Sequence, residues 1–131
     1  MNSMFKDFEV VHSYSRKQAI EDGYLIDVSK LAGEAGFVFP VAVSCAVWEN
    51  WVCPTDYLHD SGQSLEGRLW DLLIQLRFAI QRQKGSASSR VDFECLFLTD
   101  EDKHEVVPFY SVCGPGDAGE PVVTVMLPGE D

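Results

Sequence analysis

Ser64-Leu65-Glu66-Gly67-Arg68-Leu69-Trp70-Asp71-Leu72-Leu73-Ile74-Gln75-Leu76-Arg77-Phe78-Ala79-Ile80 decides the fold class. Leu65, Leu69, Leu72, Leu73, Leu76 and Ile80 recur at three- and four-residue steps, the repeat of one helical face, and Ser64 is a good N-cap. The spacing predicts a long amphipathic helix running to about Lys84, where Gly85-Ser86-Ala87-Ser88-Ser89 has no helical preference. Immediately after it the period changes. Arg90 to Leu98 alternates Val91, Phe93, Cys95 and Phe97 with Asp92, Glu94, Leu96 and Leu98, the two-residue period of a strand with one buried face.

Two further β runs follow, Glu105 to Cys113 and Val122 to Leu127. Turns at Thr99 to His104 and at the Gly- and Pro-rich 114–121 separate them. The last third therefore reads as an antiparallel meander on which the helix can lay its leucine stripe. The expectation is a two-layer α+β domain: an antiparallel sheet of about four to six strands, one long amphipathic helix and several short helices. Upstream, Ser15 caps a short helix that ends at Gly23, and Tyr24 to Val28 forms a brief strand. Ser29 opens another helical turn, and Val41 to Val43 is a strand core. Ser44 caps a helical turn carrying Trp48 and Trp51 on one face. Phe5, Phe8, Val10 and Val11 make an apolar patch ahead of these elements. No linker or repeat divides residues 1–131, so one domain is expected.

The chain has 131 residues, 46% of them hydrophobic, which is enough for a core, and carries a net charge of −11. That charge argues against direct binding to nucleic acid or anionic lipid by bulk attraction. The start turns charged at Lys6-Asp7 and no stretch is long and apolar enough to span a bilayer, so a cytoplasmic protein without membrane contact is expected. Cys45, Cys53, Cys95 and Cys113 read as mostly buried thiols in such a setting. Together with His59 and His104 they lack the close pair that a zinc site uses, so no metal and no cofactor is expected.

The charge is unevenly placed: −5 over residues 1–63, +3 over 64–90 and −9 over 91–131. Arg68, Arg77, Arg82, Lys84 and Arg90 form the basic element and read as the solvated back of the long helix. Asp92, Glu94, Asp100, Glu101, Asp102 and Glu105 would gather on one edge of the hairpin, joined by Asp117 and Glu120 from the next loop. These carboxylates either keep a small protein soluble or form a field suited to a basic protein partner. Trp48, Trp51 and Tyr57 are candidate aromatic anchors beside the polar loop, or simply core.

Two resemblances bear on function. The run from Tyr14 to Ser29, then Ala35-Gly36-Phe37, Phe39 to Ser44 and Val47-Trp48, resembles an uncharacterised family of small acidic proteins encoded on phages, plasmids and integrative elements. Such genes often travel beside anti-restriction genes. The resemblance thus implies a non-enzymatic inhibitor of a host nucleic-acid-targeting defence complex, acting through its acidic surface. His12-Ser13-Tyr14-Ser15 resembles the opening of ADP-ribosyltransferase-like folds, which implies a rival enzyme with His12 at nicotinamide dinucleotide. A third reading is a homodimerising module paired through Val122 to Leu127 or an edge at Pro40.

Overall fold

In the computed structural model, the described residues are 14–84 and 88–130. The apolar patch at Phe5, Phe8, Val10 and Val11 lies outside them, as does His12. Helices α1 (Arg16–Glu21), α2 (Ser29–Glu34), α3 (Cys45–Val47), α4 (Asp56–Asp60) and α5 (Leu65–Arg82) accompany strands β1 (Leu25–Asp27), β2 (Val41–Ser44), β3 (Arg90–Leu98), β4 (His104–Pro115) and β5 (Pro121–Met126). The strands form one sheet in the order β1-β2-β5-β4-β3.

The α+β class and the long helix stand as the periodicity predicts. The sheet is mixed, however, and not purely antiparallel. β2 runs parallel to β5, with Val41 opposite Val123 and Val43 opposite Val125, while the other pairs are antiparallel. The parallel pair exists because the whole α5–β3–β4 segment separates its members, and a connection of that length can return the chain in the same direction.

This order also rules out the dimerisation edges expected from sequence. β5 lies between β2 and β4, and β2 beyond Pro40 lies between β1 and β5, so neither has a free ladder to offer. Among the described residues the sheet edges are the short β1 and the long β3. Pro108 lies on the 104–109 stretch of β4, which β5 does not reach, where a missing backbone donor is tolerated.

One sheet face carries the core. Val41, Val43, Val91, Phe93, Cys95, Phe97, Val107, Phe109, Val123 and Val125 meet Leu69, Leu72, Leu73, Leu76 and Ala79 of α5 and Ala32 of α2. Ser64 accepts a 3.0 Å hydrogen bond from Gly67 N–H and so starts the helix as a capping residue should. The stripe stops short of its sequence limit, for Ile80 lies where the sheet no longer covers the helix and is 37% exposed. α1 sits on the other face. Its Arg16 donates to Thr124 Oγ1 (2.7 Å) and to the Val123 carbonyl (2.9 Å), and Ala42 beneath is fully buried.

The expected helical turn after Ser44 forms as α3, but it opens into a π turn over Trp48–Val52, closed by Cys53 N–H to the Trp48 carbonyl at 2.8 Å. α1 ends in a Schellman arrangement, with Tyr24 N–H to the Ala19 carbonyl, Gly23 N–H to that of Ile20, and Gly23 at φ +83°. α2 ends in the same way at Gly36, φ +104°. Of the four thiols expected to be mostly buried, Cys95 is buried, Cys45 and Cys53 are half-buried, and Cys113 is exposed near the end of β4. No helix among the described residues is long and apolar enough to cross a membrane.

Candidate functional site

The β3–β4 turn gathers four of the eight expected acidic residues, Asp100, Glu101, Asp102 and Glu105. Thr99 N–H bonds to the Lys103 carbonyl at 2.8 Å, and Asp102 takes a left-handed conformation, φ +58°, that aspartate tolerates better than most residues. α4 is fastened to this turn by two side-chain hydrogen bonds. Thr55, the N-cap of α4, donates Oγ1 to Asp100 at 2.6 Å, and Tyr57 donates its hydroxyl to Asp102 at 2.7 Å. The carboxylate of Asp102 stabilises the protonated phenol, which holds Tyr57 above the ordinary tyrosine pKa.

Below the turn lies Arg68, which breaks the expectation of a solvated helix back. Only 3% exposed, it donates Nε to the Trp51 carbonyl (2.8 Å) and Nη1 to Gln63 Oε1 and the Leu98 carbonyl (3.1 Å each). Its guanidinium also lies 4.7 Å from the Phe97 ring centroid, and that ring stacks on Trp51 at 5.9 Å. Burial pulls the Arg68 pKa down, while carbonyls and a ring face supply the compensation that a buried charge needs. One arginine thus ties α5, the π turn and the end of β3 together.

Above it is a cleft of about 380 Å³, lined in part by Glu49, Trp51, Arg68, Asp100, Glu101 and Glu105. Asp56 and Asp60 of α4 stand exposed at the same end. Asp100, Glu101, Asp102 and Glu105 are therefore brought together as expected, and Glu49, Asp56 and Asp60 join them. Sequence reasoning missed these three because they lie in a π turn and a short helix of the segment after Trp48. The Thr55–Asp100 and Tyr57–Asp102 contacts carry α4 to the hairpin, and the Trp51–Phe97 stack with the Arg68 bonds to the Trp51 and Leu98 carbonyls carries the π turn there.

The rest of the expected acidic set is elsewhere. Asp92 and Glu94 project from the opposite face of β3, where Arg90 pairs with Asp92 at 3.0 Å and lies 4.0 Å over the Tyr110 ring. Asp117 and Glu120 occupy the β4–β5 turn, at the other end of a strand that spans roughly 35–40 Å. Both have local work there. Asp117 accepts the N–H groups of Arg16 (2.8 Å) and Lys17 (3.0 Å) at the start of α1, which holds its pKa below the usual carboxylate range, and Glu120 accepts from Ala118 N–H. Antiparallel strands place successive turns at opposite ends, so these loops cannot form one edge.

Among the anchor candidates, Trp48 and Trp51 are half-buried and packed against the core, whereas Tyr57 is 45% exposed. Trp70 and Phe78, read only as helix residues, are exposed at 39% and 46%. No group of three or more His, Cys, Asp or Glu side chains suited to a metal ion occurs among the described residues.

Fold and site together define a small α+β protein with a carboxylate-lined end built over a buried arginine. The chain belongs to a family described as "Family of unknown function (DUF6573)", which matches it over residues 1–131. Neither a curated protein nor a solved structure matches it.

Proposed function

We propose that this is a non-enzymatic binding protein whose acidic end occupies a Lys/Arg-lined surface of another protein. The target class is a nucleic-acid-handling complex, in keeping with an inhibitor of a host defence system encoded on a mobile element. One observation carries the reading. Glu49, Asp100, Glu101 and Glu105 share a cleft with Asp56 and Asp60 beside it, and the arginine beneath is already committed to carbonyls. Exposed carboxylates on a rigid frame steer a basic partner and fix its orientation. Asp100 and Asp102 also hold α4, so among the described carboxylates of this end Glu49, Asp56, Asp60, Glu101 and Glu105 are the groups left to meet a partner.

Capture from a cell lysate at low and high salt, followed by mass spectrometry, tests the reading. The expected result is a basic nucleic-acid-binding protein that is held at low salt and released at high salt, because screening weakens exposed charge contacts. Absence of any basic protein at low salt, or retention undiminished by salt, contradicts it.

A further inference from the structure

At the other end of α5 the helix and the sheet pack less closely. The inward positions in the middle of the sheet are Phe93, Phe97 and Phe109, which fill the space under the helix. Toward the end of the same face they become Val91, Ser111, Cys113 and Val123. Small side chains there leave space beneath the helix, and a cavity of about 500 Å³ opens between them, the 36–39 segment and the second half of α5. That volume is within the range of small-molecule sites.

The lining is mostly apolar, and its mouth exposes Val38 (85%), Phe39 (44%) and Ile80 (37%). Among the described residues its charged members are Arg77 and Lys84, with no carboxylate, in a chain whose net charge is −11. Arg77 is seated against the Gly36 backbone so closely that a Cβ at position 36 would lie 2.9 Å from its Cζ. An apolar cavity whose charged lining is wholly cationic matches a ligand with a hydrocarbon body and an anionic head.

We propose that this cavity binds an alkyl-chain carboxylate, its tail over Val91, Val123 and Ile80 and its head between Arg77 and Lys84. The site stands apart from the acidic end and does not depend on the function proposed for it. Cys113 lines the cavity and is exposed, so its thiol reports occupancy.

The test is the rate of Cys113 alkylation by N-ethylmaleimide in the full-length protein, read by peptide mass spectrometry. It is run with decanoate, laurate or dodecyltrimethylammonium, each below its micelle-forming concentration. Laurate should slow Cys113 at least tenfold at saturation and leave Cys45 and Cys53 unchanged. Half-protection should need about fifteenfold less laurate than decanoate, because each of the two additional methylenes removed from water is worth about fourfold in affinity. The variant Arg77→Glu/Lys84→Glu, with its fold checked by circular dichroism, should need at least tenfold more laurate. The proposal is overturned by no protection, by equal protection from the ammonium compound, by equal slowing of all three thiols, or by unchanged affinity in a folded variant.

Discussion

Arg68 near the start of α5 is buried and fully engaged, whereas Arg77 in the second half of the same helix is exposed at the rim of an open cavity. What the sheet presents beneath each residue makes the difference. Under Arg68 are the Phe97 ring, stacked on Trp51, and the carbonyls of Trp51 and Leu98. Near Arg77 the sheet offers Ser111, Cys113 and Val123, with the Gly36 backbone alongside. The same residue type is a structural tie where large side chains and orphan carbonyls surround it, and a ligand-facing charge where the core thins out. One end of the helix is thereby fixed, with carboxylates displayed over it, and the other is left open and cationic.

The sharpest way to break the comparison is to remove each guanidinium in turn. Arg68→Leu strands the Trp51 and Leu98 carbonyls in a buried site and should cost about 3 kcal/mol in urea denaturation. Arg77→Leu removes an exposed charge and should stay within about 0.5 kcal/mol of the parent. Equal costs would mean that the two ends are not built differently.

Next in size is Gly36→Ala. Position 36 has a positive φ, so a loss of about 1–2 kcal/mol is expected, nearly all of it from the backbone because the Arg77 atoms that the added Cβ meets are the far end of an exposed side chain. In an Arg77→Ala background the loss should therefore stay nearly the same, which a double-mutant cycle measures.

Asp117 tests whether the far turn belongs to the acidic end at all. Its pKa is depressed by the α1 N–H groups, so the stability it contributes is present above the unfolded-state carboxylate pKa and lost as pH falls through the lower folded value. Asp117→Ala should therefore be less stable than the parent at neutral pH, and the gap should close on acidification. It should leave partner capture unchanged.

The smallest effect concerns Tyr57, whose pKa is raised by its bond to Asp102. The stability from that bond is present below the ordinary tyrosine pKa and lost as pH rises through the raised one. Asp102→Asn keeps a residue that tolerates the left-handed backbone and removes the charge, so alkaline titration by NMR should show Tyr57 ionising earlier.

Local patterns made much of the fold legible. The 65–76 leucine spacing, the alternation over 91–97 and the caps at Ser15, Ser44 and Ser64 each depend on neighbours in sequence, and each forms as expected. The parallel β2–β5 pair was hidden because pairing across the whole α5–β3–β4 segment leaves no local trace. Arg68 was misread because its charge outweighed its place on the buried face, and its partners are backbone carbonyls that no sequence pattern marks. The acidic site was half visible. Asp100 to Glu105 lie close together in sequence, but Glu49, Asp56 and Asp60 reach them through tertiary contacts of Trp51, Thr55 and Tyr57, and Asp117 and Glu120 are carried off by strand direction.

The most direct measurement of the central claim is parallel low-salt capture by three forms of the protein: the parent, Glu101→Lys/Glu105→Lys, and Arg77→Glu/Lys84→Glu. The account predicts that the basic partner bound by the parent is lost by the first variant and kept by the second. Retention by the first variant, or loss by the second alone, would contradict it.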